Sequence, residues 1–203
     1  QKVYTMRIQE GCKFHDGTEV TAEDIAFSMD RMLQIGQGFA FIFKAALPVG
    51  GTQPVDKYTV SFRLSNPLCT LIAGLTNFYV MNKKLLMQNK KEGKFGEFGD
   101  YGVAWIASGV GDAGSGPYRL TMYDPMKGFR LVRYEDYKGA WTRIGYKPGN
   151  VYEVVEQIVP EFATMKTMIM KGECDMTHYE MPEQVYEELK KAPGVKVYED
   201  PQW

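Results

Sequence analysis

The stretch Tyr4-Thr5-Met6-Arg7-Ile8-Gln9-Glu10-Gly11-Cys12-Lys13-Phe14-His15-Asp16-Gly17-Thr18, followed shortly by Thr21-Ala22-Glu23-Asp24-Ile25-Ala26-Phe27-Ser28, decides how the chain is read. Tyr4 to Ile8 alternates and predicts a strand with one face to bury. Glu10-Gly11 ends the strand, and His15-Asp16-Gly17 predicts a tight turn. A helix is expected next. Thr21 is a good N-cap, and Glu23 and Asp24 fall in the positively polarised first turn. Ile25, Met29 and Met32 or Leu33 recur at helical spacing, and Gly36 is the expected stop.

Outward from there, strands and helices keep succeeding one another, which predicts a mixed α/β architecture. Gly36 to Gly51 reads as a Gly- and Phe-rich connection. Tyr58, Val60, Phe62 and Leu64 predict a half-buried strand that Asn66-Pro67 breaks. A short helix is expected through Leu71 and Leu75, then an apolar strand over Phe78–Met81 and a helix from about Lys83 to Asn89. Lys90 to Gly116 reads as an irregular loop with Trp105-Ile106 as its one apolar anchor, and as a boundary between subdomains. Tyr118–Tyr123 and Phe129–Tyr134 predict a hairpin, and Tyr137 to Trp141 a turn. Val151–Val159 predicts a strand closed by Pro160. Beyond it, Phe162, Met165, Met168 and Ile169 share one stripe of a helix stopped by Gly172. A short strand over Cys174–Thr177, a helix starting at Pro182 and a last strand over Val195–Tyr198 complete the reading.

Composition narrows the function classes. With 203 residues the chain can make one large domain or two small ones. Charged residues make up 24% and the formal net charge is −1, so there is no electrostatic footprint for nucleic acid or an anionic membrane. Thirteen Tyr, eleven Phe and three Trp supply core and flat contact surface alike. No apolar run reaches the roughly 18 residues that a membrane span needs. No signal peptide opens the chain, which begins within a predicted strand, so it is expected to be a piece of a longer protein. Cys12, Cys69 and Cys174 lie far apart with no CxxC or metal-ligand spacing; one disulfide is possible, but small apolar thiols are the expected reading.

Three blocks, in order, resemble the extracytoplasmic solute-binding proteins of the oligopeptide, dipeptide and nickel ATP-binding-cassette (ABC) importers, family 5. The opening block is similar to the family's strand, D-G turn and T-x-E-D helix start. The second is Gly114-Ser115-Gly116-Pro117-Tyr118-Arg119-Leu120 with Leu131-Val132-Arg133-Tyr134-Glu135-Asp136-Tyr137 and Trp141. The third, Met168-Ile169-Met170-Lys171-Gly172-Glu173-Cys174-Asp175-Met176, resembles the family's helix, G-E-x-D, strand segment. Each block alone is a scaffold motif and performs no chemistry.

The resemblance implies a two-lobed clamp that captures a peptide or similar small solute and delivers it to ABC permease subunits. It also implies a periplasmic location, or a lipid anchor on the outer membrane face in a Gram-positive host. The chain is expected to hold most of the first lobe: a smaller subdomain over residues 1–113 and part of the main sheet subdomain over 114–203, with the second lobe absent. The implied ligand-binding positions are Phe39, Phe41, Asn77, Phe78 and Tyr79, with Trp203 as a hinge or cleft residue. Exposed rings stack on apolar or sugar-like ligands and an Asn fixes one polar group, although Phe39, Phe41 and Phe78 fit a core equally well. No catalytic residue, cofactor or metal is expected, and the receptor is expected to be a monomer with no nucleic-acid partner.

The rival readings are weaker on the same residues. His15 beside Asp16, and His178 three residues after Asp175, form no ligand cluster for a nickel carrier. For a carbohydrate-active enzyme, Glu153, Glu156 and Glu161 offer carboxylates, but Glu153 and Glu156 point to opposite faces of a strand. No P-loop or G-x-S-x-G is present. A sugar receptor of the same family, or a sensory module reusing the fold, remains open.

Overall fold

The computed structural model describes residues 2–109, 111–139, 151–177 and 181–198. Trp141, His178 and Trp203 lie outside the described residues. The chain divides into two compact units, Gln1–Glu156 and Gln157–Trp203.

In the first unit, helix α1 (Ala22–Ile35) starts at Thr21 and stops at Gly36, whose left-handed φ of 71° suits a residue without Cβ. The Asp24 carboxylate accepts from the Thr21 N–H at 2.9 Å and the Thr21 hydroxyl at 2.7 Å, so the helix start is tied back on itself. Strand β1 (Val3–Arg7) pairs antiparallel with β3 (Thr59–Arg63), and β3 pairs with β2 (Thr52–Asp56), giving the order β1-β3-β2.

Strand β2 was not expected from the sequence, and Pro54 within it cannot donate to a ladder. It is tolerated because β2 is an edge strand, where the missing N–H faces no partner. The half-buried alternation expected of β3 is also incomplete. Val60, Ser61 and Phe62 are all buried, Ser61 to 4% exposure, since a central strand is flanked on both edges.

Among the described residues of this unit four short helices follow: α2 (Ala40–Lys44), α3 (Leu71–Gly74), α4 (Lys83–Gln88) and α5 (Val103–Ala107). Two cores result. One gathers Met29 and Leu33 of α1 with Phe43, Val60, Phe62 and Leu71. The other gathers Phe27, Leu86, Tyr101 and Ala113. Residues 90–116 are therefore not simply a loop around Trp105-Ile106. The buried anchor is Tyr101, its ring stacked on Phe98 at 4.8 Å and tilted against Phe27 at 5.6 Å. Trp105 and Ile106 pack at the margin of that cluster.

Phe78–Met81, expected as a strand, starts extended at Phe78 but joins no sheet among the described residues. Both backbone groups of Met81 are taken by one hydroxyl of α1: its N–H donates to Ser28 Oγ at 2.9 Å, and its carbonyl accepts from that hydroxyl at 3.3 Å. A second sheet has the order β4-β5-β6, from Tyr118–Asp124, Gly128–Arg133 and Glu153–Gln157. The predicted hairpin is present, with a register shift between Leu120 and Met122.

In the second unit, helices α6 (Phe162–Lys171) and α7 (Glu183–Leu189) pack on each other, and Lys166 pairs with Glu188 between them. Gly172 ends α6 as expected, at φ 70°. The strands expected at Cys174–Thr177 and Val195–Tyr198 are irregular. Each lacks a ladder partner among the described residues, and a lone strand leaves its backbone groups unpaired.

Candidate functional site

The candidate residues of the first unit come from two neighbouring elements. Ala40 and Phe43, three apart on α2, face inward and are fully buried, which turns Phe41 outward. Phe41 is 72% exposed and Phe39, at the head of the helix, 44%. Helix α3 packs against α2. Gly74 makes the close approach possible: a Cβ there would stand 2.8 Å from Ile42 Cγ2 and 3.4 Å from the Phe43 ring.

Past α3 the chain makes a 3-10 turn over Leu75–Asn77 and then extends. Thr76 Oγ1 donates to the Ala73 carbonyl at 2.7 Å, and Asn77 Nδ2 donates to Thr76 Oγ1 at 3.3 Å. The extended backbone then alternates. Phe78 and Val80 pack against the first core, and Tyr79 between them is 72% exposed. Three rings, Phe39, Phe41 and Tyr79, thus stand in solvent on elements whose neighbouring residues are anchored in the core. Asn77 is half-buried beside them in sequence, and Phe78 faces inward. Ile72, on the outward side of α3, is a further exposed apolar residue. Sequence reading missed it because Leu71 and Ile72 differ only in which side of a single helical turn they occupy.

Polar contacts hold this connection in place. Asn82 is buried: its amide nitrogen donates to Asp16 Oδ2 at 3.0 Å and Thr18 Oγ1 at 2.9 Å, and its amide oxygen accepts from the Leu85 N–H at 3.0 Å. Asp24, already capping α1, accepts from the Lys83 N–H at 3.2 Å. The Asp16-Gly17 turn and the start of α1 therefore fix where the 78–82 segment runs. A buried side chain with every polar atom paired is a rigid mount.

A separate cavity of about 230 Å³ is lined by Ile8, Cys12, Val20, Ile25, Val80 and Tyr137. That is below the roughly 300 Å³ at which small-molecule sites begin. Cys12 and Cys174 are partly buried, as expected of small apolar thiols, but Cys69 is exposed and departs from that expectation. Burial pushes the Cys12 thiol up, away from the reactive thiolate. Among the described residues, no group of three or more His, Cys, Asp or Glu side chains is placed to hold a metal. No helix there is long and apolar enough to cross a membrane. Glu153 pairs with Arg130 at 3.2 Å across β5 and β6.

The family model "Bacterial extracellular solute-binding proteins, family 5 Middle" matches residues 1–203. The chain belongs to this family. As a family 5 chain it is similar to the "Probable D,D-dipeptide-binding periplasmic protein DdpA" of Escherichia coli (strain K12), at 30% identity over 203 residues, covering 99% of this chain and 35% of that protein. It is also similar to the periplasmic oligopeptide-binding protein OppA of the same strain, at 26% identity, covering 98% of this chain and 37% of OppA. Among solved structures, it resembles a mannohexaose-bound periplasmic oligopeptide-binding protein of Thermotoga maritima, with a TM-score of 0.72 and 25% identity, over 98% of this chain and 34% of that one. The family 5 chain thus has the fold of periplasmic solute-binding proteins and spans little more than a third of these relatives' length.

Proposed function

We propose that this chain is part of the solute-capturing component of an ABC importer, with Phe39, Phe41, Asn77 and Tyr79 contributing one wall of the binding cleft, while Phe78, turned into the core, holds that wall in place. The observation that carries the site is the outward projection of Phe39, Phe41 and Tyr79 from elements otherwise anchored in a core. Three solvent-facing rings on rigid mounts form a ready stacking surface, and large rings are otherwise withdrawn from water. Residues 1–113 act as the smaller subdomain and 114–203 as part of the main sheet subdomain of one lobe.

The relatives named for dipeptides and oligopeptides, and the one holding mannohexaose, favour a peptide or an oligosaccharide. Both present faces that an aromatic ring can cover. The receptor works as a monomer in the periplasm, or tethered to the outer membrane face, and hands its solute to permease subunits. Nucleic acid is no partner, and the receptor does not turn its solute over.

The test is a thermal-shift screen of the full-length protein against peptides, oligosaccharides and divalent metals. A solute at 100 times its Kd raises stability by about 2.7 kcal/mol, which is readily visible in Tm. A rise with one of the organic classes, and its weakening in Phe41→Ala and Tyr79→Ala, is the expected result. A shift that survives both substitutions would move the cleft elsewhere, and hydrolysis of the solute would overturn the transport reading.

A further inference from the structure

We propose that His15 is a proton-operated latch: as an imidazolium it clamps the turn after β1 to the Asp112–Leu120 connection, and losing its proton loosens that connection. Both ring nitrogens face acceptors. Nδ1 lies 2.8 Å and 2.7 Å from the two Asp112 carboxylate oxygens, and Nε2 lies 2.9 Å from the Gly116 carbonyl. A neutral imidazole has one N–H and one lone pair. Either tautomer therefore sets a lone pair against an oxygen at hydrogen-bond distance. With Asp112 ionised, as its three hydrogen bonds favour, only the doubly protonated ring satisfies both contacts.

The rest of the site leaves the ring no other option. The His15 side chain is 7% exposed, so water cannot readily replace a lost partner. Tyr134 closes one side edge-on, its ring centroid 5.0 Å away, with its hydroxyl donating to the Phe14 carbonyl at 3.0 Å. The His15 N–H donates to the Gly114 carbonyl at 2.9 Å. Asp112 also accepts from the Gly114 N–H at 3.0 Å and the Leu120 N–H at 3.2 Å, which anchors the start of β4 to the same carboxylate. One proton on His15 thus decides whether the first sheet's turn and the second sheet's entry share a charged clamp.

The charged and titratable groups facing the ring are Asp112, Arg119 and Tyr134. Burial pushes the imidazolium's pKa down, but the hydrogen bonds to Asp112 and Gly116 and the Asp112 charge outweigh burial and the repulsion of Arg119, so the net shift is upward. Burial pushes Asp112 up, and its bonds to His15, Gly114 and Leu120 bring it below the ordinary carboxylate value. Because His15 is raised in the folded state, the clamp is fully present below its ordinary value of about 6.5 and is lost as pH rises through the higher folded midpoint. The packing of this lobe therefore loosens on the alkaline side. That holds whatever solute is bound.

The test uses the full-length protein labelled with ¹⁵N in its histidine rings. The His15 signals are assigned by their loss in His15→Gln. The latch requires both ring nitrogens to be protonated at pH 6 and a midpoint above about 6.5. Asp112→Asn keeps the shape but removes the charge, and should lower the midpoint by about one unit or more, a ten-fold or larger change in proton affinity. Amide protection at Gly114 and Leu120 should fall across the same transition once corrected for intrinsic exchange. A neutral single tautomer at pH 6, a midpoint at or below the ordinary value, or a midpoint unmoved in Asp112→Asn overturns the proposal. Should His15→Gln fail to fold, the wild-type titration and the Asp112→Asn shift decide the question alone.

Discussion

Individual side chains in this protein act mostly as fasteners, and two of them make opposite predictions. Asp24 is bonded to Thr21 at the head of α1 and to the Lys83 backbone at the head of α4, so one carboxylate serves two helix starts. Asp24→Ala should lower the stability of the full-length protein by about 2 kcal/mol, at the upper end for a lost cap because Lys83 also loses its partner. A shift in the urea midpoint with unchanged slope is the measurement. Thr52 is the reverse case. Its hydroxyl is buried in β2 with no hydrogen-bond partner among the described residues. Thr52→Val keeps the shape and removes the stranded group, so it should leave stability unchanged or raise it by up to about 1 kcal/mol in the same assay. A loss above about 1 kcal/mol would show that the hydroxyl has a partner.

At the scale of elements, the interface between α2 and α3 depends on the absence of one side chain. Gly74→Ala places a methyl group against the stiff, β-branched Ile42 and the Phe43 ring. Overpacking of this kind costs about 1–3 kcal/mol. Helix α2 carries Phe39 and Phe41, so the same substitution should also weaken solute binding, read by titration calorimetry, while a mutation in the second sheet should not.

Which elements were legible follows from how local their causes are. Helix α1 was readable because Thr21, Asp24, its apolar spacing and Gly36 lie within the helix or next to it. Strand β2 was not, since Pro54 is acceptable only once β3 and not a further strand lies beside it. The Phe78–Met81 segment looked like a strand because its apolar run is right, but Ser28 from α1 claims the backbone groups a sheet would use. Tyr101 was hidden by the Gly- and Lys-rich stretch around it, and its burial depends on Phe27 arriving from α1 to meet the local pair it makes with Phe98. The candidate site was partly legible for the same reason. Aromatic residues can be counted in a sequence, but which of Phe78 and Tyr79 faces outward depends on where the extended chain is pinned.

For the whole receptor, the exposed rings predict a separation between binding and stability. Phe41→Ala and Tyr79→Ala remove side chains that the first unit hardly packs, so unfolding free energy should change by no more than about 0.5 kcal/mol. Solute affinity should fall about ten-fold, equivalent to about 1.4 kcal/mol. Parallel loss of stability and affinity would instead place these rings in packing. The order β1-β3-β2 has a further consequence, in time rather than in space. The β2–β3 hairpin closes over Lys57 and Tyr58, with Asp56 accepting from the Tyr58 N–H at 2.8 Å, and can form as soon as it leaves the ribosome. Strand β1 is made first but must wait for β3, its partner across more than fifty residues, because β2 does not contact it. Closing that long loop carries the larger entropy cost. Refolding kinetics should therefore find the β2–β3 turn formed in the transition state and β1 docked only afterwards, with φ-values near one at Val60 and near zero at Met6.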